Sequence, residues 1–520
     1  MSADLIHRRR WWTLAVLSLS LVVISLDNTI LNVALPSIAE DLRASASQLQ
    51  WIVDAYMLVF AGLLLTAGAL GDRFGRRRAL TTGLVVFGAG SLLAALSTDG
   101  VQLIASRAFM GVGGALIMPS TLSILTAVFP AEERAKAIGA WAAVAGLGIA
   151  IGPVAGGWLV EHANWHWVFL VNVPMVVLAL ALGRSLIPES RDPHPSGLDL
   201  PGAALSIAGL TALLYGLIEA PSRGWTHPVI LGAFGASAIA LAAFAAWELR
   251  TATPMLDVRL FRNRRFSVAS GSIALAFFGL FGVLFATSQY LQNVHGFGPF
   301  EAGLWSLPVA GGLAIGGPLA ARLSARLGTK LTVAGGLTAL AGGLALYAQV
   351  TPGSGFALIG GAQVVLGLGI GLAMTPATDS IMGSLPAARA SVGSAMNDTV
   401  RMVGGSLGVA VLGSLLSTHY RDAMDGAVQG LPAQASATAH ESITGASAVA
   451  ERVGGSAGRM LHDVAGVAFV DAMQSAMLVA AGVCFVGALL ALALLPAREQ
   501  ARAGRPTPAP VKPVAEPVAA

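Results

Sequence analysis

Fourteen apolar segments dominate the chain, at 11–35, 48–70, 77–97, 101–127, 134–160, 164–187, 200–218, 228–248, 266–291, 300–323, 330–350, 355–380, 391–418 and 471–495. Each is long enough to cross a hydrocarbon layer of ~30 Å as an α-helix. In lipid the backbone must satisfy its own hydrogen bonds, which leaves helices or a closed barrel, and unbroken apolar runs of this length select the helix. Composition agrees: 55% of the 520 residues are hydrophobic and 11% are charged, against roughly 25% charged in soluble domains. The expected fold class is an all-α polytopic membrane protein.

The net charge of +4 could speak for a nucleic-acid partner, but the positions of the cations argue for membrane lipid instead. Of the 31 Lys and Arg, 24 fall at the N-terminus, in alternate inter-span loops or in the C-terminal tail. The opposite loops hold Arg43, Arg223, Arg421, Arg452 and Arg459, while Arg107 and Arg401 lie within spans. This is the positive-inside pattern, with both termini expected in the cytoplasm. The first apolar run follows His7-Arg8-Arg9-Arg10 and is too long for the core of a cleaved signal peptide. A single cysteine, Cys484, excludes a disulfide framework and Cys-based metal sites. No Walker A sequence and no His-Glu-x-x-His spacing occurs, so neither ATP hydrolysis nor metalloenzyme chemistry is expected. The chain reads as a non-enzyme with no metal and no cofactor. Basic residues are nearly all arginine and Ala and Gly are abundant, a usage typical of GC-rich bacterial genomes.

Displacing the first five spans by 253 residues lays them on spans nine to thirteen. "RFGRRRAL" (73–80) then meets "RLGTKLTV" (326–333), and a further slip of three or four residues brings "GVGGALIMPST" (111–121) to "GLGIGLAMTPAT" (367–378). Repeated six-helix units are a pattern of secondary transporters, with the substrate site at the midplane between them. The expected organisation is an N-terminus at 1–10, a first six-helix bundle at 11–190, two inserted spans at 191–250 and a second bundle at 251–496. That bundle carries an extracytoplasmic loop at 419–470, rich in Ala, Gly and Ser and amphipathic rather than disordered. The Pro/Ala-rich tail, 497–520, is expected to be disordered.

Four motifs stand out. "GALGDRFGRRRAL" (68–80) joins spans two and three on the cytoplasmic side; its glycines permit a tight turn, and Asp72 can cap a helix or pair with Arg73, Arg76 or Arg77. A solvated loop with an incidental acid does not need that spacing. "LIASRAFMGVGGA" (103–115) puts Arg107 in the membrane. In "GLGIAIGPVAGG" (146–157), small residues at i, i+4 and i+8 make a groove for close helix contact, and Pro153 permits a bend. "LDNTILNVALP" (26–36) places Asp27, Asn28, Thr29 and Asn32 in lipid-compatible sequence, where a carboxylate costs several kcal/mol.

The first of these resembles the signature loop of the major facilitator superfamily, in which it helps to lock one alternating-access state. The second resembles the superfamily's fourth-helix motif. The third, through Gly148, Gly152, Pro153, Gly156 and Gly157, resembles the fifth-helix motif of proton-coupled exporters. The opening motif resembles that of the fourteen-span drug:proton antiporters of the QacA/EmrB type. The resemblance implies two six-helix halves plus two inserted helices, and export of small-molecule drugs, mainly lipophilic cations, in exchange for protons. It further implies a monomer in the bacterial inner membrane, driven by the proton gradient. The alternative cargo is one antibiotic, peptide or lipid made by the same cell.

At ~1.5 Å per residue, Asp27, Asp54 and Arg107 all lie in the outer half of the bilayer and can share one network. Asp398 and Arg401 lie nearer the middle, one turn apart on span thirteen. Two readings of each acid stand at this point: a fixed ion pair with its arginine, or a proton carrier. The resemblance implies proton-coupling roles for Asp27, Asp54 and Asp398, with Arg107 and Arg401 as their partners. Where relatives have paired acids on span thirteen, this chain has Asn397 and Asp398, which favours monovalent over divalent cations. Asn28 and Asn397 are candidates for the substrate cavity, and Trp51, Tyr56 and Trp141 can offer aromatic faces to a cation. For Trp51, anchoring at the membrane interface is the competing role.

Overall fold

The computed structural model describes residues 3–191, 199–252, 254, 256–384, 390–429 and 431–496. The expected disordered tail, 497–520, lies outside them, as does part of the connection into the inserted spans.

The described chain is helical. The first half comprises α1 (Ala3–Asp41), α2 (Ala46–Phe74), α3 (Arg76–Ala95), α4 (Gly100–Val128), α5 (Ala131–His162), and a sixth span split into α6 (His166–Leu170) and α7 (Asn172–Leu186). The inserted pair is α8 (Leu200–Arg223) and α9 (Pro228–Arg250). The second half comprises α10 (Arg264–Gln289), continued by a π-turn (Tyr290–Val294), then α11 (Pro299–Trp305), α12 (Leu307–Leu327), α13 (Thr329–Tyr347), α14 (Phe356–Gly383) and α15 (Ala390–Met424). It closes with α16 (Ala433–Glu441), α17 (Ile443–Val453) and α18 (Gly455–Leu494). Thirteen helical stretches among the described residues are long and apolar enough to cross a membrane, and α5 occupies the place of the expected fifth span.

The repeat is visible in the packing. α2 at 46–74 falls on α11–α12 at 299–327 when displaced by 253 residues, and α3 falls on α13. In the first half α1 packs on α5 and α4 packs on both α2 and α3; in the second, α10 packs on α15 and α14 on both α12 and α13. α18 stands where the sixth span stands in the first half, against α10 and α13. Close approach uses matching glycines. A Cβ on Gly113 would lie 2.8 Å from the carbonyl oxygen of Gly83, and one on Gly369 2.8 Å from that of Gly336. Gly75 (φ +117°) and Gly328 (φ +85°) make the corresponding turns, in the left-handed region that glycine enters without steric cost.

Two expected boundaries move. α15 continues to Met424, and α18 begins at Gly455 rather than near 471. Arg459, His462 and Asp463 break the apolar run but not the helical backbone. Between α15 and α18 the insert folds back. α17 is amphipathic and buries Ile443, Ala446 and Val449, and the Tyr420 hydroxyl donates to the Ala439 carbonyl at 3.0 Å.

Contact between the halves lies towards the C-terminal ends of α1 and α5 and along the first part of α2. α5 packs on α11, α2 on α15 and α1 on α10. Gln292 donates from Nε2 to the Val33 carbonyl at 2.8 Å, and the Phe300 amide donates to Glu161 Oε2 at 3.1 Å. At this end the two halves are closed against each other.

The paired glycine crossings generate a prediction. Gly113→Leu and Gly369→Leu should each destabilise the protein by about 1–3 kcal/mol or more, since the obstructing atoms are backbone. Gly342→Leu, which faces open space, should leave thermal unfolding in detergent unchanged.

Candidate functional site

Three elements converge on Asp27. Its Oδ2 lies 2.5 Å from Arg107 Nη1, with both side chains at most 1% exposed. Asn172, at the start of α7, donates to Asp27 Oδ1 at 3.3 Å and to Ser91 Oγ at 3.0 Å. Arg107 also donates from Nε to the Ile52 carbonyl at 3.0 Å, and its guanidinium lies over the Tyr56 ring, 4.4 Å from the centroid. The aromatic face expected for a substrate cation is thus occupied by a cation of the protein. Tyr56 is fully buried against Phe60 and Phe87.

Asp54 does not join this network, contrary to the expectation of one shared cluster. It faces the other half: Ser406 on α15 donates to its Oδ1 at 2.7 Å. Its Oδ2 is buried and makes no hydrogen bond, and the side chain is fully buried. The reason is register. Ile52 presents its carbonyl to α4, and two residues on the helix has turned Asp54 towards α15. Asp398 pairs with Arg401 at 3.3 Å on one face of α15, and Arg401 lies 4.6 Å over the Phe277 ring. Asn397 accepts from Thr378 at 3.3 Å.

Other candidate polar groups keep atoms unsatisfied. Asn28 donates from Nδ2 to the Ile24 carbonyl at 2.9 Å, while its Oδ1, that of Asn32, and the indole N–H of Trp141 are buried without partners. Buried polar atoms are normally bonded, so these on α1 and α5 are candidates for contact with a hydrated cavity or its cargo. Trp51 is half-buried against an apolar cluster that includes Leu58 and Leu214.

The fifth-helix motif has two faces. Gly148 and Gly156 admit α1: added Cβ atoms would lie 2.8 Å from Ser25 Cβ and 2.6 Å from Ile30 Cγ1, and one on Gly152 would overlap Thr29. Gly157 and the Pro153 carbonyl instead meet α11 of the second half, at Pro299 and Gly303, where a Cβ on either glycine would overlap backbone. The motif therefore packs the Asp27 helix on one side and closes a seam with the second half on the other.

The loop between α2 and α3 is tied within its own half. Asp72 accepts from Arg76 Nε at 2.8 Å, and Gly68 packs on Pro119. Arg73 stays near the Phe74 ring, at 5.5 Å. Glu189, which the sequence reading did not single out, accepts from the Arg77 amide at 3.2 Å and lies 3.7 Å from its guanidinium. Gly75 leaves the room that Glu189 uses. An acid just beyond span six, in a connection expected on the same side as the basic loop, was the available signal. Ser406 offered none, and Asn172 offered only its polarity within an apolar run.

The chain matches the family model described as Major Facilitator Superfamily over residues 17–409. It is 39% identical over 485 residues to the multidrug efflux pump LfrA of Mycolicibacterium smegmatis, covering 92% of this chain and 96% of that one. It is 34% identical over 509 residues to the tetracenomycin C resistance and export protein of Streptomyces glaucescens, covering 96% and 95%. The methyl viologen resistance protein SmvA of Salmonella typhimurium is 35% identical over 465 residues, covering 89% and 93%. Among solved structures, an inward-facing bacterial homologue of the human lysosomal transporter Spinster superposes with a TM-score of 0.65 at 19% identity, covering 94% of this chain and 98% of that one.

Breaking the Asp27–Arg107 pair from one side should be more damaging than removing it whole. Asp27→Asn leaves a buried guanidinium without a counter-charge and should cost about 3–5 kcal/mol. The double variant Asp27→Asn/Arg107→Met should recover most of that loss in thermal unfolding.

Proposed function

The chain belongs to the major facilitator superfamily, and we propose that it exports lipophilic, mainly cationic drugs, antiseptics and dyes from a bacterial cell in exchange for inward protons. The relatives' names, multidrug efflux and methyl viologen resistance, support this cargo class. The observation that carries the proton reading is Asp54, a buried carboxyl on the seam between the halves with one hydrogen bond and one unpartnered oxygen.

A lone carboxylate in that seam is costly to bury, whereas a neutral acid is not. With Asp54 protonated, α2 and α15 stay together and the outer side stays closed. A cation entering from the cytoplasm favours release of that proton inward. The carboxylate left behind favours opening of the outer seam, where the cation departs and a proton from outside restores closure. Asp398, beside Arg401, is a second acid on the same path. Asp27 plays a different part: taking a proton would leave Arg107 buried without its counter-charge, so the pair acts as a fixed core of the first half. Each charge moved inward supplies ~2.3 kcal/mol per 100 mV of membrane potential. The cycle uses no cofactor, and the positive-inside distribution supports cytoplasmic termini.

A second reading narrows the cargo to one antibiotic made by the same cell. The similarity to the tetracenomycin C export protein favours it.

In inside-out vesicles energised by respiration, ethidium should dissipate the pH gradient with the wild-type protein and fail to do so with Asp54→Asn. Proton movement evoked only by a neutral natural product would instead support the dedicated exporter. If neither class moves protons, the antiport reading is wrong.

A further inference from the structure

The two seams between the halves are built differently. On one side α5 meets α11 directly, backbone to backbone, through Gly157 and Gly303. On the other side α2 and α15 are joined by a third helix, the inserted span α8, which packs on both. The repeat has no second copy of α8 and α9, so this wall belongs to one seam only.

One face of α8, Ile207, Leu210, Leu214 and Ile218, recurs at the spacing of a helical stripe. Leu214 and Ile218 form a small apolar cluster with Leu58 of α2 and Ala410 of α15, separate from the main core. Ile207 sits so close to α2 that a Cβ on Gly62 would overlap it. The other face of α8 carries Gly209 and Gly216, whose notches receive Leu241 and Phe234 of α9; added Cβ atoms there would meet them at 2.7 and 2.6 Å. α9 is itself mostly exposed and buttresses α8 from the lipid side.

Beside this stripe lies a partly open crevice of about 220 Å³, lined by Met57, Leu58, Ala61, Leu210, Leu214, Val403, Ser406 and Leu407. No lining residue is ionisable. Its single polar member, Ser406, is the residue that donates to Asp54. Leu210 and Leu214 therefore stand between the lipid-facing side of the seam and the Asp54–Ser406 hydrogen bond.

We propose that the inserted span α8 is a third wall of the proton site, and that Leu210 and Leu214 are positioning residues that keep Asp54 sealed from the side while the outer seam is closed. Protons then reach Asp54 only through the alternating-access cycle. This rests on Asp54 carrying the proton. Truncating the two leucines removes the wall that holds α2 against α15, so that water entering along the loosened seam reaches Asp54 and protons pass it without cargo.

The test uses the full-length protein in liposomes containing pyranine, with potassium and valinomycin clamping the membrane potential, and an external acid step without drug. Proton entry should be several-fold faster with Leu210→Ala/Leu214→Ala than with wild type or Leu214→Met. Adding Asp54→Asn to the double variant should return it to the wild-type rate. If the double variant does not assemble, Leu214→Ser alone carries the comparison. A folded variant as tight as wild type overturns the proposal, and so does a leak that survives Asp54→Asn. Ethidium-driven proton movement in the same wild-type liposomes separates these outcomes from failure of the antiport reading itself.

Discussion

A charge buried in a membrane-spanning core must be paired, and the Asp27–Arg107 contact is the one from which the first half is organised. It joins α1 to α4, and through Asn172 and Ser91 it reaches α7 and α3. Arg107 then fixes α2 by its bond to the Ile52 carbonyl and its stacking on Tyr56. Five helices are thereby referred to one ion pair. The second half places an uncharged network at the related position: Thr287 and Gln363 both donate to the Tyr347 hydroxyl, at 2.9 and 3.2 Å. The repeat conserves the polar junction between helices and changes its charge.

That difference divides the labour among the acids. An acid whose charge is balanced within its own half contributes to stability without reference to the other half. Asp54 is bonded across the seam, so its charge state and the separation of the halves are coupled. The fifth-helix glycines extend the same logic to the opposite seam. They seat α5 on the Asp27 helix and let its outer end touch the second half through backbone, so the ion-paired core and the outer closure share one helix.

Much of this was legible in the sequence because lipid imposes simple rules. The helical class, the approximate span count and the 253-residue repeat follow from apolar length and recurring glycines. Asp27 and Arg107 were conspicuous because charges in apolar runs are costly. Their pairing is one of two arrangements that depth alone permitted. Ser406 could not be foreseen: it is one serine among many, brought to Asp54 from 352 residues away by helix packing. The start of α18 was missed because polar residues end an apolar run without ending a helix. That Arg107 covers the Tyr56 ring was not legible either, because a sequence shows that an aromatic ring can receive a cation, not which cation it receives.

The central claim is that Asp54, not Asp27, holds the transported proton. Difference infrared spectroscopy of the protein in lipid, acid minus alkaline, reads the carbonyl stretch of a buried protonated carboxyl directly. The account predicts such a band in the wild type and its loss in Asp54→Asn. A band that persists in Asp54→Asn and vanishes only when Asp27 is replaced would contradict it.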